Sequence, residues 1–260
     1  MNIVVCVKHV PDATAERAFR DSDRTVDRTG VAGLLSELDE YAVEQALQVV
    51  ADAGGEVTVL TVGPEQAGDA VRKALQMGAD KGVHVSDEAI HGSDAPATSL
   101  ILATAIQKLG DVDVVLCGMA STDGTMGLVP AMLAERLGWP QVTYVVDVEV
   151  DGQKVRARRD SDLAAETIEA STPLVLSVTD QANEPRYPSF KGIMAAKKKP
   201  VQTWSLADLG IPADQVGLTG AWTAVDSFTA RPPRSAGTVV TDEGDGARRL
   251  VEFLAGQKFV

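Results

Sequence analysis

The feature that most constrains this chain is an alternation. In its first half, short apolar runs recur between stretches whose apolar residues keep helical spacing. The runs cover residues 3–7, 57–62, 82–85 and 112–117, and three of them are valine-rich and continuously apolar, as strands buried on both faces require. Between the first two, Leu38, Ala42, Ala46, Val49 and Ala53 recur at three- and four-residue intervals and predict a helix with one apolar face. Ser36-Glu37-Leu38-Asp39 reads as a capping-box-like start to that helix. Ala70, Val71, Ala74 and Leu75 predict a second helix over residues 67–77, with Gly78 as its left-handed stop. A third is predicted over residues 95–109 before Gly110. A fourth opens at Val129-Pro130, where proline suits the first turn, and runs to Leu137. Strand and helix repeated in this order make a parallel sheet covered by helices.

Past Pro140 the pattern changes. Residues 142–150 and 154–159 read as long, polar-interrupted strands joined at Asp151-Gly152, a hairpin signal, so this half is expected to be antiparallel. Residues 173–179 return to an apolar strand that completes the central sheet. Residues 212–246 are rich in Gly, Pro, Asp, Ser and Thr with little periodicity and are read as an extended arm, closed by a short helix over residues 248–254. The expected fold is therefore α/β and Rossmann-like, with an antiparallel hairpin and a C-terminal arm. The expected division is residues 1–205 for the main domain and 206–260 for the arm.

Composition narrows the function classes. With 260 residues, 45% hydrophobic and 23% charged, the chain can bury a full core. No apolar run approaches the roughly 20 residues of a membrane span, and Met1 leads directly into a strand rather than a signal peptide, so a cytoplasmic location without membrane insertion is expected. Cys6 and Cys117 lie inside apolar runs without a CxxC and read as buried free thiols. His9, His84 and His91 lack ligand spacing, so no metal is expected. A net charge of -13, with Lys197-Lys198-Lys199 as the one compact basic run, disfavours nucleic acid. Proteins and small molecules are the expected partners.

In an open parallel sheet, ligands bind beyond the carboxyl ends of the strands. The informative loop there follows the fourth strand and contains Gly118, Ser121, Thr122, Asp123, Gly124, Thr125, Gly127, Leu128 and Val129. Three glycines permit tight turns, and amides near the following helix start suit an anion. The loop is neither GxGxxG nor GxxxxGK[ST], and a βα loop that binds nothing has the same spacing. Asp123 either selects a ribose hydroxyl or closes the loop on its own amides. Cys6 and Val62, at strand ends, either offer backbone contacts to a base or are core.

Asn183-Glu184-Pro185-Arg186-Tyr187, followed by Pro188-Ser189-Phe190-Lys191-Gly192-Ile193-Met194 and Lys197-Lys198-Lys199, resembles the signature segment of electron transfer flavoprotein β subunits. Val7-Lys8, the run from Ala74 to Asp80 and Thr122-Asp123-Gly124 extend the resemblance over about the first 205 residues. It implies a nucleotide-binding fold like that of adenine nucleotide α hydrolases, and an electron carrier without a catalytic site. It also implies a heterodimer with an α subunit that holds most of a redox-active FAD, while the β subunit buries AMP. The family's AMP contacts match the 118–129 loop, Cys6, Ser36 to Asp39, and Val62. Leu128 and Val129 stand where polar side chains often occur in the family, which leaves phosphate contacts to backbone amides, Ser121, Thr122 and Thr125. Electron-bifurcating relatives hold a second FAD in place of AMP and tend to carry glutamine and glycine in this loop, a pattern absent here.

The same resemblance implies partners: acyl-CoA dehydrogenases as donors and a quinone oxidoreductase as acceptor. A helix starting near Ser189 would put Phe190, Ile193 and Met194 on one apolar face, which either packs on its own domain or faces a partner. The family gives the position of Phe190 the role of anchor in a dehydrogenase pocket. It also has a carboxylate at the position of Asp160 that can pair with an α-subunit arginine, although Arg158, Arg159 and Asp162 equally make Asp160 a solvated charge. Where the family places an aromatic residue against the flavin, this chain has Ala13 and Thr14. Two other functions are open to such a fold. An ATP-splitting ligase or hydrolase would need an SGGxD-type loop where Lys8-His9-Val10-Pro11-Asp12 stands. A non-redox nucleotide-binding module would purify alone and colourless.

Overall fold

A computed structural model describes residues 1–233 and 237–260, as two compact units, Met1–Asp226 and Ser227–Val260. Residues 234–236 of the expected arm lie outside the described residues. In chain order the first unit contains β1 (Asn2–Cys6), β2 (His9–Pro11), β3 (Gly33–Leu35), α1 (Glu37–Ala53), β4 (Glu56–Val62), α2 (Gly68–Met77), β5 (Lys81–Val85) and α3 (Ala95–Leu109). It continues with β6 (Val114–Gly118), α4 (Val129–Leu137), β7 (Gln141–Val145), β8 (Asp147–Asp151), β9 (Lys154–Asp160) and β10 (Ala165–Ser171). The last elements to concern the sheet are β11 (Leu174–Val178), α5 (Phe190–Ala196) and β12 (Val201–Trp204).

The expected α/β fold is present. Seven strands in the order β12-β5-β4-β1-β6-β11-β7 form one sheet in which every pairing is parallel. Because side chains alternate across a strand, β1 sends Ile3 and Val5 into one core with α1 and α2, and Val4 and Cys6 into the other with α3. Both faces are covered, which is why the valine runs are unbroken. Helix α3 occupies the residues read from periodicity and gains an N-cap, since the Asp94 carboxylate accepts from the Ala97 amide.

Three expectations are corrected. First, residues 142–150 are not one antiparallel strand. Tyr144 takes φ 59° and the pairing with β11 shifts register, so the chain breaks after Val145. Val142 and Val145 are buried beside β11, and β8 joins β9 and β10 in a separate antiparallel sheet. The Asp151-Gly152 hairpin is as expected, with Asp151 opposite Lys154.

Second, Ser36 caps no amide of α1 with its side chain; the polar residues at this helix start turn towards neighbouring loops. Third, the first unit continues past residue 205, because Leu206, Leu209, Ile211 and Val216 are buried in the core cluster on the α3 side. Strands β10 and β12 carried no signal strong enough to be read. β10 is mostly exposed and holds one large apolar residue, Ile168, and β12 is a short edge strand. In the second unit, a helix spans Gly246–Gly256, a little longer than the stretch expected.

Candidate nucleotide site and docking segment

The carboxyl ends of β4, β1 and β6 lie side by side, and the loops leaving β1 and β6 meet at the start of α1. Gly118 ends β6 so close to that helix that an added Cβ would lie 2.6 Å from both the Leu38 carbonyl oxygen and Asp39 Oδ1. Asp39 accepts from the Lys8 amide at 2.8 Å, and the Ser36 hydroxyl, fully buried, accepts from the Thr122 amide at 3.4 Å. What reads in sequence as a capping box is therefore a bracket that joins the loops after β1 and β6. Burial pushes the Asp39 carboxyl up to about 7, against the lowering effect of the Lys8 amide and charge.

Asp123 is the centre of the 118–129 loop. Its side chain is 3% exposed, and its two oxygens meet Lys8 Nζ and Arg28 Nη2, each at 2.8 Å. Its own loop supplies the Gly124 amide at 2.6 Å. Burial would raise its pKa, but Lys8 and Arg28 outweigh that and hold it at about 2. Of the two roles open to Asp123 in sequence, the geometry favours closing the loop. Thr125 and Gly127 both have positive φ, and the Tyr144 hydroxyl donates to the Gly127 carbonyl, closing the far side. Leu128 is half exposed at the N-cap of α4, and Val129 is its first residue. Cys6 and Val62 end β1 and β4. Cys6 is buried beside Cys117, its partner in register, and both are free thiols. The structure thus brings together Cys6, Ser36, Asp39, Gly118 and the Ser121 to Thr125 turn, with Val62 one strand away.

The residues present fit a phosphate group. The site offers the uncapped amide end of α4 and the hydroxyls of Ser121, Thr122 and Thr125. Lys8 and Arg28, both missed as site residues, add positive charge. Lys8 was visible in the quoted motif but had no assigned role; Arg28 lies 95 residues from Asp123 and had no sequence signal.

The 183–199 segment is built differently. Asn183, Arg186 and Lys199 turn inward: Asn183 Nδ2 donates to the Tyr41 carbonyl at 3.1 Å and to Gln45 Oε1 at 3.2 Å. Arg186 forks onto Glu44 at 2.6 and 2.9 Å. Burial works against the Glu44 charge, yet the Arg186 fork and Gln48 hold its carboxyl below the usual range. Lys199 Nζ donates to the carbonyls of Leu75, Gly78 and Ala79, capping the end of α2. Ser189 caps α5 by accepting from the Gly192 amide, and Gly192 lies against the Gln76 carbonyl with no room for a Cβ.

The apolar residues point outward. Tyr187 is 92% exposed and Phe190 81%, with Ile193, Met194 and Glu184 also exposed and Pro185 half-buried. Asp160 lies apart from this segment on β9, where Arg158 forks onto it at 2.9 and 2.6 Å. No helix among the described residues is long and apolar enough to cross a membrane, and no group of three or more potential ligands could hold a metal there.

Comparison with known proteins agrees with this arrangement. A family profile described as the electron transfer flavoprotein domain matches residues 23–209. The electron transfer flavoprotein subunit beta of Mycobacterium bovis is 48% identical, covering 100% of this chain and 99% of that protein. The protein of the same name from Mycobacterium leprae is 47% identical with the same coverage. The Caffeyl-CoA reductase-Etf complex subunit CarD of Acetobacterium woodii is 38% identical over 93% of this chain and 92% of its own length. On the match of profile, full-length relatives and fold, this chain belongs to the electron transfer flavoprotein family, as a β subunit.

Proposed function

We propose that this chain pairs with an α subunit to form a heterodimeric carrier. The carrier takes electrons from acyl-CoA and other flavoprotein dehydrogenases and passes them to a quinone oxidoreductase. In this reading the chain has no catalytic site of its own and buries AMP as a structural nucleotide. The observation that carries the reading is the docking segment, in which every strong polar anchor is used to hold the chain down while Tyr187, Phe190 and Met194 are left in solvent. An apolar tip on a fixed base loses little entropy on docking and suits a small, short-lived interface. Phe190 is the anchor in this reading, and Asp160 faces the α subunit.

The nucleotide lies against the 118–129 loop, with Cys6, Ser36, Asp39 and Val62 lining the strand ends. FAD, when bound, supplies the electron-carrying ring. This chain's own residues shape the wall beside it, and the docking segment sets which protein approaches.

The test is to purify the chain with its partner subunit, release bound nucleotides with acid and identify each. One AMP and one FAD per pair is expected. Two FAD and no AMP would replace AMP by a flavin in this subunit. A monomeric, colourless chain would favour a non-redox nucleotide-binding module.

A further inference from the structure

Lys8 and Arg28 reach the same carboxylate from different parts of the chain. Lys8 follows β1, and Arg28 sits near the end of the connection between β2 and β3. That connection is held by three Asp-Xaa-Thr turns, at Asp12, Asp23 and Asp27, and by His91, whose ring nitrogen lies 2.8 Å from Asp23 Oδ2. Arg28 is therefore presented by an ordered strap rather than a free loop.

Two full positive charges meet the ionised Asp123, and the buried Asp39 beside Lys8, its carboxyl pushed up to about 7, carries only part of a negative charge near neutral pH, so the cluster keeps a net positive charge. The exposures are unequal in a telling way. The Asp123 side chain is 3% exposed, whereas those of Lys8 and Arg28 are 42% and 33% exposed. An arriving anion therefore meets the cations and not the carboxylate between them. Donors remain for it as well: Arg28 uses only Nη2 on Asp123, and an ammonium carries three N–H groups. Gly124 leaves the ammonium uncovered, since even a Cβ there would lie 3.8 Å from Lys8 Nζ.

We propose that Lys8 and Arg28 together recognise the phosphate of a bound adenosine phosphate, with Asp123 as the positioning residue that sets their separation. This rests on the nucleotide reading above and adds to it the groups that tell a phosphate ester from a nucleoside. A charge-assisted contact contributes about 1.5 to 3 kcal/mol, or roughly ten- to a hundredfold in affinity.

The test is equilibrium dialysis of the full chain, purified with its partner subunit and stripped of nucleotide, against AMP, FAD and adenosine in parallel. Arg28→Ala should weaken AMP binding by about tenfold or more and leave adenosine binding within about twofold. Lys8→Met, which leaves the strap untouched, should behave the same way. FAD uptake beyond one equivalent per complex, the equivalent assigned to the α subunit, identifies which phosphate ester Lys8 and Arg28 prefer, and either preference supports the assignment. Equal losses for AMP and adenosine would overturn it, because the cations would then only hold the loop in shape. Failure of the unsubstituted complex to bind AMP or a second FAD would overturn the nucleotide reading itself, and this assignment with it.

Discussion

The 118–129 loop and the 183–199 segment both depend on buried ion pairs, but they use them in opposite senses. In the loop the carboxylate is innermost and the cations surround it, so positive charge faces the opening. In the segment the carboxylate of Glu44, 5% exposed, takes up the one arginine, and large apolar side chains, Tyr187, Phe190 and Met194, are left exposed beside it. The first arrangement suits a small anion held in place. The second suits a protein surface met briefly. One chain thus uses charge pairing to present charge in one place and to remove it in another, and the number of cations on each buried carboxylate, two on Asp123 and one on Glu44, decides which.

The largest expected effect tests how rigid the loop's base is. Gly118→Ala forces a Cβ against the Leu38 carbonyl, which belongs to helix backbone and cannot rotate away. A loss of about 2 to 3 kcal/mol in urea unfolding, with loss of bound nucleotide, is expected. A wild-type midpoint would mean the bracket between α1 and β6 yields easily.

The next effect separates two carboxylates of one site by pH. Asp39 has a folded pKa of about 7, above its ordinary 3.8, so the folded state holds a proton that the unfolded state has lost. Its contribution therefore declines as pH rises from about 4 to 7 and is flat above, by an amount on the order of a few kcal/mol. Asp123, held at about 2, contributes fully above 3.8 and loses that contribution as pH falls through 2. Stability profiles from pH 2 to 8 should show Asp39→Asn with a weaker decline over pH 4–7 and an unchanged acid limb. An unaltered decline would mean that Asp39 titrates as an ordinary carboxylate.

The smallest effect on stability comes from a contrast within the docking segment. Arg186→Ala leaves Glu44 buried without its partner; because Arg186 is half exposed and solvent can enter, a loss of about 2 kcal/mol is expected. Phe190→Ala removes a side chain that is 81% exposed, so stability should change by less than about 0.5 kcal/mol. Under the proposed docking role its effect should instead be seen in slower reduction by acyl-CoA dehydrogenases at limiting carrier, with flavin content intact. Unchanged transfer rates would remove Phe190 as the anchor, and a large loss of stability would show the segment packs on its own domain.

Sequence by itself determined the order of the central-sheet strands and helices through α4, though not the short β2–β3 pair. Both sheet faces there are buried, so apolar runs and helical spacing are a direct record of packing, and Gly78, Gly110 and Gly138 mark the stops. It also determined that Phe190, Ile193 and Met194 share a short helix, since Ser189 and the residue spacing are local signals. Beyond Pro140 it was a poorer guide, because a half-exposed sheet has weak periodicity and the break at Tyr144 is a backbone event with no side-chain signature. Only the tertiary structure decided what the polar residues do. It turned Ser36 and Asp39 from a helix cap into a bracket between loops, directed Asn183 and Arg186 onto α1, and brought Lys8 and Arg28 to Asp123 across 115 and 95 residues. The physical reason is that an apolar pattern repeats along the chain and can be read one element at a time, whereas a buried charge is explained only by the partner that reaches it through space.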